Sequence, residues 1–443
     1  MYFNDEYNDS LTVFKQHLNA DKTFYPLALH ATDIVTSDYP VSRELYDKYS
    51  ENLRKAVDAV FYKEEDSDLA LRLKANATRF GAFKAYNATQ DIRREGRENS
   101  LTDAEWTEKR YNSFQAAEYN TAVARSRTAK QFEEFMDKDR MEALPNLKWL
   151  PSTSAEVRET HRVFWNRIWA KTDPFWSKNQ PGNLWNCKCD WHETDDPVTD
   201  GNPQTETAAL GLDGNPAITG KIFSDKASYV ARVKSISNET VRTQIYRDLG
   251  GIYYKDTKSR IEISALADIN EVADNIRTAR ILDNGGETVK LRPDYRLLID
   301  CPNPEYEING EIADAKRILK PNGITAGFSK AIKQGVSVVV IDYGNGEYRT
   351  LPDGTKIKIH YDDRATAKAI SDRYEDFENG IIKKCYVILK GRYIEVDALL
   401  FTTYPGKSKE NRSERVKMIM RYLALLPTIE KKRWTLPHRP GIA

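Results

Sequence analysis

Apolar residues recur at helical spacing through the first part of the chain and give way to two-residue alternation in the last part. That switch predicts a multidomain protein, mainly α in front and α+β behind. Ser42 caps a helix predicted to run to Ala59. From Asp66 to Glu95, Leu69, Leu73, Ala77, Phe80 and Phe83 return at near-helical spacing, with Asp66 or Ser67 as the cap. Between Ala104 and Ala143 there is neither Gly nor Pro, and Ala116, Ala117, Ala122, Ala124 and Ala129 sit among charges, which predicts one long helix or two abutting ones. Leu147 to Leu150 reads as a short strand, and Thr153 or Ser154 caps a helix through Val157, His161 and Trp165.

Residues 196–220 are rich in Pro and Gly and nearly empty of large apolar side chains. They are expected to be a linker between a domain over 1–195 and another over 221–405. The second domain is predicted to open with short helices over Ser228–Gln244 and Ile269–Asn284. Strands follow at Glu287–Leu291, Tyr306–Ile308, Ile312–Lys316, Val336–Asp342, Lys356–Tyr361, Cys385–Leu389 and Arg392–Leu399, with turn signals at Asn309-Gly310 and Gly344-Asn345-Gly346. A charged helix and tail occupy 406–443.

Length and composition narrow the classes. A chain of 443 residues with 40% hydrophobic and 30% charged residues, and no apolar run long enough to cross a bilayer, reads as several soluble domains without a membrane span. The acidic, polar start resembles no secretory signal, so folding in the cytosol is expected. Four cysteines make no disulfide framework, and Cys187 and Cys189 are too close in sequence for an easy unstrained bridge. What remains for that pair is buried reduced thiols or a zinc site completed by His161, with His192 as a further candidate. A formal net charge of +1 requires any nucleic-acid contact to come from a local patch. The cations from Lys407 to Lys417 with Lys431, Lys432 and Arg433 suit phosphate contacts, but Glu410, Glu414 and Glu430 dilute them, which favours a solvated surface.

The richest run is Thr172 to His192. It sets Trp176, Trp185 and Trp191 around Cys187-Lys188-Cys189 just after Pro181-Gly182, with Trp169 nearby, and such apolar density predicts a packed loop. In order and spacing, the stretch from Arg110 to Trp191 resembles the phage Mu F-like minor head (head morphogenesis) proteins. The resemblance rests on Asn120-Thr121-Ala122 with Ala124-Arg125, on Leu147 to Leu150, on Arg158-Glu159-Thr160-His161, on Asp173 to Trp176, and on Pro181-Gly182 with Asn186 to Cys189. It covers about residues 65–195; Phe164, Trp165 and Trp169 depart from it. It implies a minor capsid component made in the host cytoplasm and carried in the virion, contacting portal and capsid proteins during assembly or DNA packaging.

The stretch from Ile276 to Gly344 resembles the C-terminal tRNA-nuclease domains of CdiA-type toxins, grouped with barnase/EndoU/colicin/RelE-like nucleases. An Ala-Arg helix before Gly285-Gly286, Pro304-Glu305-Tyr306, the Asn309-Gly310 turn, Asp314-Ala315-Lys316, Gly323-Ile324-Thr325, Lys333-Gln334 and the strand to Asp342 carry it. Glu305 stands where that family has Asp, and Asp314 where it has Glu. The resemblance implies a metal-independent ribonuclease needing no cofactor, an RNA substrate such as tRNA, and an immunity protein as partner. Metal-free RNA cleavage needs acid–base groups and charge stabilisation, for which Asp314, Lys316, Thr325, Gln334 and Glu305 are the candidates. Two other readings use the same letters. Pro293-Asp294 with Asp314-Ala315-Lys316 matches the PD-(D/E)xK pattern of metal-dependent nucleases; alternatively the pair is an exposed Asp/Lys pair on an edge strand, and a catalytically inactive fold would serve only as a virion contact.

Overall fold

The computed structural model describes residues 43–62, 67–91, 109–154, 159–268, 271–295, 302–344, 346–350 and 356–426. Helix and sheet are both present, and the described chain divides into two compact units, one over 43–254 with 271–273 and the other over 255–268 and 274–426, so that β4 spans the first junction.

The helical unit runs α1 (Arg43–Phe61), α2 (Asp68–Asp91), α3 (Gln115–Phe135), α4 (Lys138–Ala143), β1 (Asn146–Leu150), α5 (Glu159–Arg162), β2 (Ile168–Ala170), α6 (Phe175–Lys178), β3 (Asp190–Thr194), α7 (Pro216–Thr219), α8 (Ser228–Lys234) and α9 (Glu239–Gly250). The Ser67 hydroxyl accepts from the Ala70 amide and starts α2 as its sequence predicts. The long Gly-free stretch becomes two helices because the Asp137 carboxylate caps the amides of Asp139 and Arg140. Strand β1 is the centre of a three-stranded antiparallel sheet in the order β2-β1-β3, with Trp149 opposite Trp191.

Residues 196–220 are not a linker. Arg125 on α3 is fully buried, and its guanidinium donates to the carbonyls of Leu212 (2.6 Å), Gly214 (2.9 Å) and Lys221 (3.4 Å). Asn179 donates to the Thr205 carbonyl, the Ala209 amide donates to the Asn183 carbonyl, and Asn215 caps α7 while donating to the Trp176 carbonyl. Backbone groups of a chain poor in apolar side chains are thus paid off one by one from buried polar ones. The boundary expected at 196–220 moves to Tyr254/Lys255 for that reason.

The sheet unit contains β4 (Tyr253–Lys255) at its edge, β5 (Ile261–Ser264), α10 (Val272–Asn284), β6 (Val289–Leu291), β7 (Tyr306–Ile308), β8 (Glu311–Arg317), α11 (Gly323–Lys333), β9 (Val338–Asp342), β10 (Tyr348–Thr350), β11 (Lys356–Lys358), α12 (Asp363–Ser371), α13 (Tyr374–Glu378), β12 (Lys384–Leu389), β13 (Arg392–Asp397), α14 (Ala398–Thr403) and α15 (Lys409–Leu425). The main sheet is ordered β13-β12-β9-β8-β7-β6-β5-β4; β10 and β11 pair separately. Strands β6-β7-β8 form an antiparallel meander, and β9 returns parallel to β8 after α11. Asn309 and Gly310 both take positive φ in the tight β7–β8 turn, as the Asn-Gly pair predicts. One face of the sheet buries Ile312, Ile318, Val339, Ile341, Val387 and Ile394 against Ile324 and Phe328 of α11, Ile370 of α12 and Ile419 and Leu423 of α15.

Two expectations change here. The strand expected over Arg392–Leu399 ends at Asp397, whose carboxylate caps the Leu399 amide and starts α14. The charged stretch after Lys407 is not a separate tail. Its helix α15 buries Arg415, which donates to the Gly406 carbonyl at 3.0 Å, and Arg412 grips Asp372 at 2.6 and 2.7 Å. Lys431, Lys432 and Arg433 lie outside the described residues.

Replacing Arg125 with Met is expected to lower the stability of the helical unit by about 3 kcal/mol, since it orphans buried carbonyls. The readout is the denaturant midpoint; a pliable tether over 196–220 would leave it unmoved.

Candidate functional site

In the helical unit, α5 carries His161 and the loop after Pro181 carries Cys187 and Cys189. Gly182 lets that loop settle against α3. Its φ is +97°, and a Cβ there would stand 3.2 Å from Cγ of Arg125. The Asn186 amide then donates to the Thr121 hydroxyl on α3. Both sulfurs approach the same ring nitrogen: Nδ1 of His161 lies 3.5 Å from Sγ of Cys187 and 3.6 Å from Sγ of Cys189. The three ligand atoms fall within 4.8 Å of one another, so the group could hold a metal ion. His161 and Cys189 are buried and Cys187 half-buried.

Around them lies the aromatic cluster that the sequence marks. Trp149 meets the His161 ring edge-on at 5.2 Å, Trp169 stacks on Phe175 at 4.2 Å, and Trp176 meets Trp191 at 5.3 Å. The extra aromatics Phe164 and Trp169 are part of this core, with Trp165 packed against it. His192 is exposed on β3 and outside the sulfur group. Arg158 lies outside the described residues.

The two thiols share their proton unequally. A hydrogen bond from Cys189, aided by His161 and opposed by burial, draws the Cys187 thiol down to about 4, while the same bond and burial push Cys189 far up.

The same unit also buries charge that the sequence reading did not single out. Lys84 on α2 is fully buried in an ion pair with Glu118 at 2.5 Å. The Tyr111 hydroxyl donates to Asp91 at 2.5 Å, and Arg232 also grips Asp91. Burial raises Glu118 and Tyr229. The only hint was a lysine on the face that continues Phe80 and Phe83.

In the sheet unit, β8 presents Ile312, Asp314, Lys316 and Ile318 on one face by alternation, so Asp314 and Lys316 interrupt an otherwise apolar surface. They form an ion pair, with Asp314 buried and the Lys316 side chain 18% exposed. Burying the carboxylate is tolerable because its partner is built in two residues away. Tyr306 pairs with Ala313, and continuing that register by one residue sets Glu305 beside Asp314. Gly327 of α11 packs on the pair: a Cβ there would stand 3.3 Å from Cβ of Lys316.

The other candidates do not gather. Thr325 is exposed in the first turn of α11, and Gln334 caps its C-terminal end. Nine residues of helix put their backbones about 13 Å apart, at opposite ends of α11. Asp294 lies beyond the end of β6, its amide donating to the Leu266 carbonyl at 2.9 Å, whereas Glu305 precedes β7 by one residue, next to the Tyr306–Ala313 pair.

Among the described residues, no helix is long and apolar enough to cross a membrane. Comparison of the chain with family models, curated proteins and solved structures found no match.

At about pH 6, iodoacetamide is expected to alkylate Cys187 ahead of Cys385, whose complete burial pushes its thiol up. Peptide mass mapping reads the order, and equal labelling of the two would refute a low-lying Cys187 thiolate.

Proposed function

We propose that the sheet unit is a divalent-metal nuclease whose catalytic side chains are Glu305, Asp314 and Lys316. The observation that carries this reading is the buried Asp314, paired with Lys316, with Glu305 one residue beyond the end of the β7–β8 ladder. Carboxylates on adjacent strands are a hard oxygen donor set, suited to magnesium or manganese. Bound there, such an ion would lower the pKa of water and neutralise charge building on the phosphate. Asp314 and Glu305 would hold it, and Lys316 would orient the attacking water and steady the phosphate through its ammonium group. The separation of Thr325 from Gln334 along α11 favours this reading over the metal-free one, for which both were candidate phosphate donors. RNA, with tRNA as the resemblance suggests, is the substrate to test first, and DNA second.

We further propose that the helical unit is a Mu F-like minor head module working with portal and capsid proteins, and that its soft donors, Cys187, Cys189 and His161, take zinc. The donor chemistry fits: thiolate and imidazole converge at 3.5 and 3.6 Å, and one sulfur already gives up its proton readily. Held there, zinc would pin the loop after Pro181 to α5. The resemblance to head morphogenesis proteins supports the virion assignment, which co-purification with capsids tests.

With manganese or magnesium present, the full chain is expected to cleave RNA or DNA, and Lys316→Ala or Asp314→Asn to lower the rate by about 100-fold or more. Cleavage that persists in a chelator would restore the metal-free mechanism; cleavage equal in Lys316→Ala would move the active site elsewhere; no cleavage of either nucleic acid would leave a fold used only as a contact. Zinc at about 100 times its dissociation constant is expected to add about 2.7 kcal/mol to the helical unit's stability, an increment that Cys187→Ser removes.

A further inference from the structure

The helical unit holds a cavity of about 1220 Å³ between α2, α3 and α8, with Phe80, Tyr111, Phe114, Trp185 and Tyr229 among its walls. Its charges are sorted by depth. The carboxylates Asp91 and Glu118 are buried and engaged, by Arg232 and Tyr111 in one case and by Lys84 and Tyr229 in the other. Exposed at its edge stand Lys109, Arg110 and Arg232. The apolar walls are sorted likewise. Phe80 stacks on Phe223 at 4.0 Å and is spent in the core, whereas Phe114 is 55% exposed and Trp185, stacked on Phe223 by one face at 5.8 Å, is half-buried. An incoming ligand therefore meets aromatic faces backed by a rim of cations, with no carboxylate in reach of solvent among the cavity's lining residues.

We propose that this cavity binds a short stretch of single-stranded nucleic acid, independently of the nuclease site in the sheet unit. Bases present planar π-faces for Phe114 and Trp185, and phosphates suit Lys109, Arg110 and Arg232. The volume exceeds the roughly 300–1,000 Å³ usual for a small-molecule pocket and leaves room for more than one nucleotide. An acidic peptide would use the cations but leave the aromatic faces without planar partners. A free amine or metal ion is disfavoured because both carboxylates are already engaged.

The test uses the full chain carrying Lys316→Ala, with no magnesium or manganese added and no chelator, and a fluorescent oligothymidylate of about ten nucleotides as probe. Anisotropy is expected to report binding that weakens about tenfold in Trp185→Leu, and that weakens in Lys109→Ala with the salt slope reduced by about one. Lys109 is exposed, so its variant keeps the test open should Trp185→Leu fail to fold. Photo-crosslinking is expected to tag Tyr111, Phe114 or Trp185. Absence of binding, affinity unchanged in Lys109→Ala, crosslinks confined to residues 255–426, or equal competition by poly-glutamate would each overturn the proposal. None of these outcomes bears on nuclease activity, which is read separately.

Discussion

The helical unit depends on one buried cation. Arg125 spends its guanidinium on the backbone of the stretch from Leu212 to Lys221, which has few side chains capable of holding itself in place. Burial lowers the guanidinium's pKa, and the nearby charge of Asp213 counters that. The arrangement costs desolvation that the four carbonyls accepting from its two terminal nitrogens offset, so the loop and α3 are specified together. The stem of the same side chain receives Gly182, whose missing Cβ lets the loop after Pro181 descend on α3. From there the chain reaches Cys187 and Cys189, and the sulfurs meet His161. A residue far from any chemistry thus sets where the thiols stand.

The sheet unit solves a different problem, that of charge on an apolar face. Its core helices pack on residues of β8 that alternate with Asp314 and Lys316, and the pair survives there because each supplies the other's counter-charge. Gly327 matters for the same reason as Gly182. Without a side chain at Gly327, α11 lies directly over the stem of Lys316. The Lys316 side chain keeps 18% of its surface exposed beside the sealed carboxylate of Asp314.

Local signals carried much of this architecture into the sequence. Ser67, the Asn309-Gly310 turn, the alternation along β8 and the convergence of His161 with the Cys-x-Cys pair were all legible, because each depends on neighbours in sequence or on a residue type with few other uses. What was illegible depends on distant partners. Pro and Gly punctuation over 196–220 looks the same in a tether as in a loop whose carbonyls are claimed by Arg125, and nothing near residue 212 announces an arginine at 125. Gln334 was grouped with Lys316 by order along the chain, whereas a helix carries it about 13 Å from Thr325. The charges near the C-terminus looked solvated because Arg415 is buried by contacts to Tyr404, Gly406 and Ser371 that composition cannot foretell. The aromatic lining opposite Lys109 was invisible for the same reason: it is drawn from α2, α3, α8 and the loop at Trp185.

The two candidate metal groups sort by hardness, and that sorting limits what either could do. Thiolate and imidazole favour zinc and would hold it through bonds that magnesium cannot match, while carboxylates favour magnesium or manganese and hold zinc less selectively. The sulfur group lies among packed tryptophans, where a bound ion would gain little access to water, and its protein ligands number three among the described residues. A tetrahedral ion there needs a fourth donor. In so dry a setting, that donor has to come from the protein or from one ordered water, which is the condition of a site that fastens a fold. The carboxylate of Asp314 is a hard donor instead, buried at the middle of β8 with the partly exposed Lys316 paired to it. Donor type thus separates the two groups, soft and enclosed by tryptophans in one unit, hard and paired with a lysine in the other.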